Sequence, residues 1–140
     1  MRVDFYILQG EANRELFACR LCEKAYKQQL GVYLQAESQQ HAQQIDNLLW
    51  TFNDGGFVPH QLINEIMPAG SLQPALIGWT QTPPSDYSLL INLTEAIPSF
   101  YAQFERIAEI VNQQEHIRQA GRQRYTQYRD HDCELQHHEL

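Results

Sequence analysis

Apolar positions along the chain change period several times, and each change marks an expected element. Val3-Asp4-Phe5-Tyr6-Ile7-Leu8 is rich in β-branched and aromatic residues and predicts a strand. Glu11 to Gln29 holds neither proline nor glycine, and Phe17, Leu21, Ala25 and Gln28 recur at helical spacing, with Ala18, Cys22 and Tyr26 beside them. That pattern predicts a helix ended by Gly31. Val32-Tyr33-Leu34 predicts a short strand. Ser38 has the side chain of an N-cap, and the helix behind it runs through Ile45, Leu48 and Leu49 to about Trp50.

Asn53-Asp54-Gly55-Gly56 signals a turn, and Phe57-Val58-Pro59-His60 follows it. Residues 61–74, with Pro68 and Pro74, predict an irregular loop. Ala75-Leu76-Ile77-Gly78-Trp79 predicts a strand, and Pro83-Pro84 a break. Ser88-Leu89-Leu90-Ile91-Asn92-Leu93 is apolar nearly throughout, as expected of a strand covered on both faces. Ile107-Ala108-Glu109-Ile110-Val111 fits a strand or a helix equally. A last helix is expected from about Asn112 to Arg129, and residues 130–140 read as an irregular tail free to flex. Strands alternating with helices imply a single α/β domain over residues 1–140. The expected architecture is a three-layer α/β/α stack with a mostly parallel central sheet flanked by helices.

Composition narrows the function. With 43% hydrophobic and 19% charged residues the chain is an ordinary folded protein. Its 140 residues can bury a core without a metal or disulfide staple. A net charge of −7 argues against generic DNA binding, because phosphate attraction supplies most non-specific affinity. Any nucleic-acid role is expected to be indirect. Arg118, Arg122, Arg124 and Arg129 nevertheless cluster, and such a local basic patch suits an acidic peptide. The cysteines Cys19, Cys22 and Cys133 form no even framework, and there is no signal peptide and no apolar run of membrane-spanning length. A reducing cytoplasmic location, away from membranes, is the expectation.

The candidate chemistry is sparse. Cys19-x-x-Cys22 has no second ligand pair at matching spacing and sits inside a helix, which favours small core cysteines over zinc or redox chemistry. His131, Cys133, His137 and His138 lie in the tail among Asp130, Asp132 and Glu134; any metal there would be adventitious, so no metal or cofactor is expected. The chain end, His137-His138-Glu139-Leu140, has the look of appended residues. His60 has no nucleophile at a recognisable elbow. A small nucleotide-binding α/β enzyme is the rival reading, and it rests on fold alone. The turn after the first strand, Gln9-Gly10-Glu11-Ala12-Asn13, has a single glycine where a phosphate cradle needs several. No catalytic residue is assigned.

Two features remain. Arg118, Arg122, Tyr125 and Arg129 fall at steps of four, three and four, forming one helical stripe, while Ile117, Gly121 and Tyr128 share a neighbouring face suited to packing. The stripe is either a solvated face or, with Tyr125 between cations, a site for an anionic and aromatic partner. Trp50 and Phe57 flank the glycine-rich turn, and are either core or an aromatic anchor for a protein.

These residues carry a resemblance. Gly56-Phe57-Val58-Pro59-His60 resembles the F-V-P-H signature of the chi subunit of bacterial DNA polymerase III. Arg122-Gln123-Arg124-Tyr125-Thr126-Gln127-Tyr128-Arg129 resembles that family's R-x-R-Y-x-x-Y-R helix. The opening strand, Leu48-Leu49-Trp50 and Leu90-Ile91-Asn92-Leu93 follow in the expected order. The resemblance implies a non-catalytic accessory subunit of the clamp-loader assembly. It implies that the psi subunit binds at Trp50 and Phe57, a surface that could also serve a helicase-like partner. It further implies that Val111, Arg118, Arg122 and Tyr125 hold the acidic, Phe-ended C-terminal tail of single-stranded-DNA-binding protein. After the helix the family tends to carry a glycine and then an aromatic, where this chain has Asp132 and Cys133. On that comparison the chain lacks one wall of the pocket and carries an acid near it.

Overall fold

The computed structural model describes residues 1–53, 56, 58–65 and 73–140. In chain order the elements are β1 (Arg2–Ile7), α1 (Arg14–Lys27), β2 (Val32–Gln35), α2 (Gln39–Thr51), β3 (His60–Leu62), β4 (Ala75–Gly78), β5 (Leu89–Asn92), a single 3-10 turn (Tyr101–Gln103), β6 (Arg106–Val111), α3 (Glu115–Asp130) and β7 (Glu134–Glu139). Among the described residues the strands form one seven-stranded sheet in the order β3-β4-β2-β5-β6-β1-β7. Every strand pair is parallel.

Side-chain alternation along the strands divides the core in two. On one face Leu34, Ile77, Ile91 and Ile110 meet Ala18, Cys19 and Cys22 of α1 and Ala42, Ile45 and Leu49 of α2. On the other, Val3, Phe5, Tyr33, Leu76, Leu90 and Ile107 meet Tyr128 of α3 and Phe104. The result is the expected three-layer α/β/α stack, and its strands are parallel throughout. Ile107–Val111, ambiguous by period, is a strand because it is buried on both faces between β5 and β1. Cys19 and Cys22 are free, fully buried core residues; burial pushes the Cys19 thiol up to about 12.

Helix boundaries follow local chemistry. The Asn13 and Ser38 side chains cap α1 and α2, accepting from Leu16 N–H and His41 N–H. Gly31 does not end α1, as the sequence suggested; the left-handed residue is Gln29, at φ 63°. Gln29 N–H donates to Tyr26 C=O at 2.9 Å and Leu30 N–H to Ala25 C=O at 3.1 Å, a Schellman closure. The same closure ends α3, where Asp132 has φ 59°, its N–H donates to Arg129 C=O, and Cys133 N–H donates to Tyr128 C=O.

Two further expectations fail. His60–Leu62, placed in a loop, pairs with Ala75–Ile77 as edge strand β3; the rest of that loop, residues 66–72, lies outside the described residues. So do Asp54 and Gly55 of the expected turn. The tail expected to be irregular forms β7, in register with β1 from Arg2↔Glu134 to Ile7↔Glu139. Its polar sequence hid it, because an edge strand needs only one apolar face. Half-buried Leu135 packs toward the α3 side. On the other side His138 stacks on Tyr6 with ring centroids 4.9 Å apart.

The connections reverse direction twice. From β2 the chain leaves over the α1–α2 face toward β3, whereas from neighbouring β5 it leaves over the α3 face toward β6. From β6 it leaves through α3 toward β7, whereas from neighbouring β1 it leaves through α1 toward β2. Crevices form at the carboxyl ends of strands at such reversals, since the outgoing chains diverge there.

Candidate functional site

The β6/β1 reversal opens a cleft of about 320 Å³ between α3 and the sheet. Val111, Arg118, Arg122 and Tyr125 all line it. Phe5 and Ile7 of β1 deepen its apolar floor, Gly121 and Gln113 complete the α3 side, and His137 and Glu139 of β7 form the far wall. Arg118 and Arg122 are exposed and Tyr125 is half-buried, its ring 5.4 Å from that of Phe5. A Cβ on Gly121 would come within 2.7 Å of Val111 Cγ1, so the helix approaches β6 closely only because this residue is glycine. Chemically the cleft offers two guanidinium groups above an apolar floor, a combination suited to a carboxylate attached to a hydrophobic group.

The basic cluster divides between two roles. Arg129 lies outside the cleft and pairs with Asp130 at 3.7 Å. Arg124 is buried and belongs to no surface patch. Its Nε–H donates to Glu109 Oε1 at 2.9 Å and its Nη1–H to Glu95 C=O at 3.0 Å. Tyr128 O–H and Asn92 Nδ2–H donate to Glu109 Oε2 at 2.7 and 2.9 Å. Burial pushes the Glu109 carboxyl up from its ordinary value, against the opposing pull of Arg124 and the Asn92 and Tyr128 hydrogen bonds. This network fixes the rotation of α3: Arg124 and Tyr128 point inward, which turns Arg122 and Tyr125 to the cleft. Sequence reading missed it, although a lone Glu109 inside an apolar strand was the available signal.

Asp132 and Cys133 are not part of the cleft. They sit at the opposite end of the sheet, beside the start of β1, where Cys133 Sγ is 3.7 Å from Met1 Sδ. The acid that does face the cleft is Glu139, in the segment that looked appended. His138 is likewise a working part of the fold, its Nε2 2.9 Å from Asp4 Oδ1.

Trp50 is 59% exposed on α2 and is therefore not core. Its ring meets His60 edge-on at 4.8 Å. The His60 side chain is buried; its Nδ1–H donates to Val58 C=O at 2.6 Å, and its Nε2 lies 3.5 Å from Asp46 without hydrogen-bond geometry. Phe57, expected beside Trp50, lies outside the described residues. At the loop after β1, Gly10 alone adopts a positive φ, and the Asn13 side chain already occupies the Leu16 amide at the start of α1. Among the described residues no group of three His, Cys, Asp or Glu side chains could hold a metal ion, and no helix is long and apolar enough to cross a membrane.

Known proteins match this chain almost end to end. Residues 1–136 match the family described as DNA polymerase III chi subunit, HolC. The chain is 38% identical to DNA polymerase III subunit chi of Pseudomonas aeruginosa over 141 residues, covering 99% of this chain and 96% of that protein. It is 32% identical to the subunit of the same name from Haemophilus influenzae, covering 89% of this chain and 88% of that protein. Identity to the Escherichia coli subunit is 26%, again over 89% of this chain and 88% of that protein. The chain belongs to the DNA polymerase III chi subunit family.

Proposed function

We propose that this chain is a non-catalytic accessory subunit of the replicative DNA polymerase III holoenzyme, working in the cytoplasm as a bridge between two proteins. The α3 cleft grips the acidic C-terminal tail of single-stranded-DNA-binding protein. The Trp50 and Phe57 surface holds the psi subunit and, through it, the clamp loader; a helicase-like protein is an alternative occupant of that surface. Contact with nucleic acid is indirect. Family membership supports the replicative role. The observation that carries the tail-binding reading is the convergence of Val111, Arg118, Arg122 and Tyr125 on one cleft. Arg118 and Arg122 suit the aspartates and terminal carboxylate of such a tail, and Val111, Phe5 and Ile7 suit its terminal Phe ring. Exposed ion pairs contribute about 0–1 kcal/mol each, so affinity should be modest, salt-sensitive and dependent on the apolar floor.

A crossed experiment tests both surfaces. A labelled acidic, Phe-ended peptide is titrated against wild type, Arg122→Ala and Trp50→Ala, and capture of psi is measured for the same proteins. Arg122→Ala should weaken peptide binding by up to about fivefold and keep psi, while Trp50→Ala should lose psi and keep the peptide. Peptide binding that is absent from wild type, or equal in wild type and Arg122→Ala, removes the tail assignment. Unchanged psi capture by both Trp50→Ala and Phe57→Ala removes the other.

A further inference from the structure

The second reversal, between β2 and β5, also opens a crevice, and its chemistry is opposite to that of the α3 cleft. It has a volume of about 500 Å³ and lies beyond the carboxyl ends of β4, β2 and β5. Half-buried Trp79 forms one side, Ile97 and Pro98 lie on the loop after β5, and the exposed residues Glu37 and Glu95 line it. Among the described residues, no basic side chain lines it.

Gln35 belongs to the floor and is only 7% exposed. Its Nε2–H donates to Trp79 C=O at 2.7 Å, which fixes the amide orientation, since a flipped amide would set two oxygens against each other. The Oε1 is therefore a buried acceptor with no hydrogen-bond partner, on a residue that lines the crevice. A buried acceptor left unsatisfied is unfavourable, so a donor able to reach it as the floor adjusts would be favoured.

The loop bearing Glu95 is rigidly built. Thr94 O–H donates to Asn92 Oδ1 at 2.7 Å, and Asn92 is itself held by buried Glu109. Arg124 fixes Glu95 C=O, and exposed Glu95 lines the crevice. A preformed recess with an aromatic wall, carboxylates and an orphaned acceptor matches one class of group: a planar cation rich in N–H donors. A guanidinium can stack on the indole while its N–H groups meet the carboxylates. The acidic lining disfavours a nucleotide or nucleic acid, whose phosphates it would repel.

We propose that this crevice is a second binding site, which takes an arginine side chain from a basic segment of a partner protein. The test uses the full chain labelled with 15N and follows the indole N–H resonances of Trp79 and Trp50, assigned from the spectrum of Trp50→Phe. The probe is an acetylated and amidated Gly-Arg-Gly peptide, compared with the same peptide carrying citrulline, which keeps the shape and loses the charge. The arginine peptide should shift the Trp79 resonance saturably and leave Trp50 in place, and the citrulline peptide should shift neither. In Glu37→Gln/Glu95→Gln, affinity should fall about fivefold or more, the scale of one exposed charge pair. Both residues are exposed, so preserved spectral dispersion will show that the variant folds. A Trp79 resonance that does not move at millimolar arginine peptide overturns the proposal. Equal binding of the citrulline peptide, or undiminished binding by the double variant, overturns it as well.

Discussion

Asp132 holds a backbone conformation that suits glycine. At φ 59° its Cβ crowds the following carbonyl, a strain that Asp tolerates better than most residues but does not escape. Its carboxylate also sits just past the carboxyl end of α3, where the helix dipole is negative. Both effects favour replacement, and Asp132 lines no part of the cleft. Asp132→Gly should therefore raise stability by about 0.5–1 kcal/mol, or about 3 °C in Tm, with acidic-peptide affinity unchanged. Thermal melting and peptide titration of one preparation check both halves. Altered affinity would mean that the turn after α3 communicates with the cleft.

At the scale of elements, α3 shows what a one-dimensional pattern can carry. The stripe Arg118, Arg122, Tyr125 was legible from spacing alone, because it follows from 100° per residue, and the structure sets all three on one cleft. The opposite role of Arg124 was not legible, since its inward direction depends on Glu109, fifteen residues away in the chain. The wall supplied by β7 was hidden for a different reason: edge strands need little hydrophobicity, and His138 docks through Asp4 and Tyr6 rather than through an apolar stripe. Phe5 and Ile7 were read as strand and not as floor, because nothing local says which helix will cover them. Gly121 ties the helix to the cleft. In Gly121→Ala the new methyl meets Val111, whose branched side chain has little freedom to move. Overpacking should cost about 1–3 kcal/mol, partly offset by about 1 kcal/mol of helix propensity. The methyl also fills the apolar part of the cleft. Peptide affinity should therefore drop more than stability does, and the ratio of the two, from titration and denaturant unfolding, separates the cleft effect from general loosening.

At the scale of the whole molecule, one buried acid joins the strands that carry the cleft. Asp4 on β1 is 2% exposed; it receives Arg2 Nη2–H at 3.0 Å and His138 Nε2–H at 2.9 Å, and Arg106 Nη2 lies 3.5 Å away. Burial alone would raise its pKa, but the His138 and Arg2 hydrogen bonds and the Arg2 and Arg106 charges reverse that, leaving it below the ordinary 3.8. The unfolded chain thus binds this proton more readily than the folded one. The stabilisation is complete above the unfolded value of 3.8 and is lost as pH falls through the lower folded value. Glu15 is also depressed, chiefly by its hydrogen bond to His41, and adds to the same limb. The Asp4 and Glu15 contributions should therefore decline with acid from about pH 5 downward, opposed by the raised Glu109 and Asp46 carboxyls. In Asp4→Asn the protein should be less stable at neutral pH, and its acid decline should be shallower, with the Glu15 share remaining. The difference between the two curves should narrow steadily as pH drops, and equal slopes would remove Asp4 as the source. Because His138 brings β7, with His137 and Glu139, to the cleft, peptide affinity in Asp4→Asn at neutral pH should change along with stability, whereas Asp132→Gly changes stability alone.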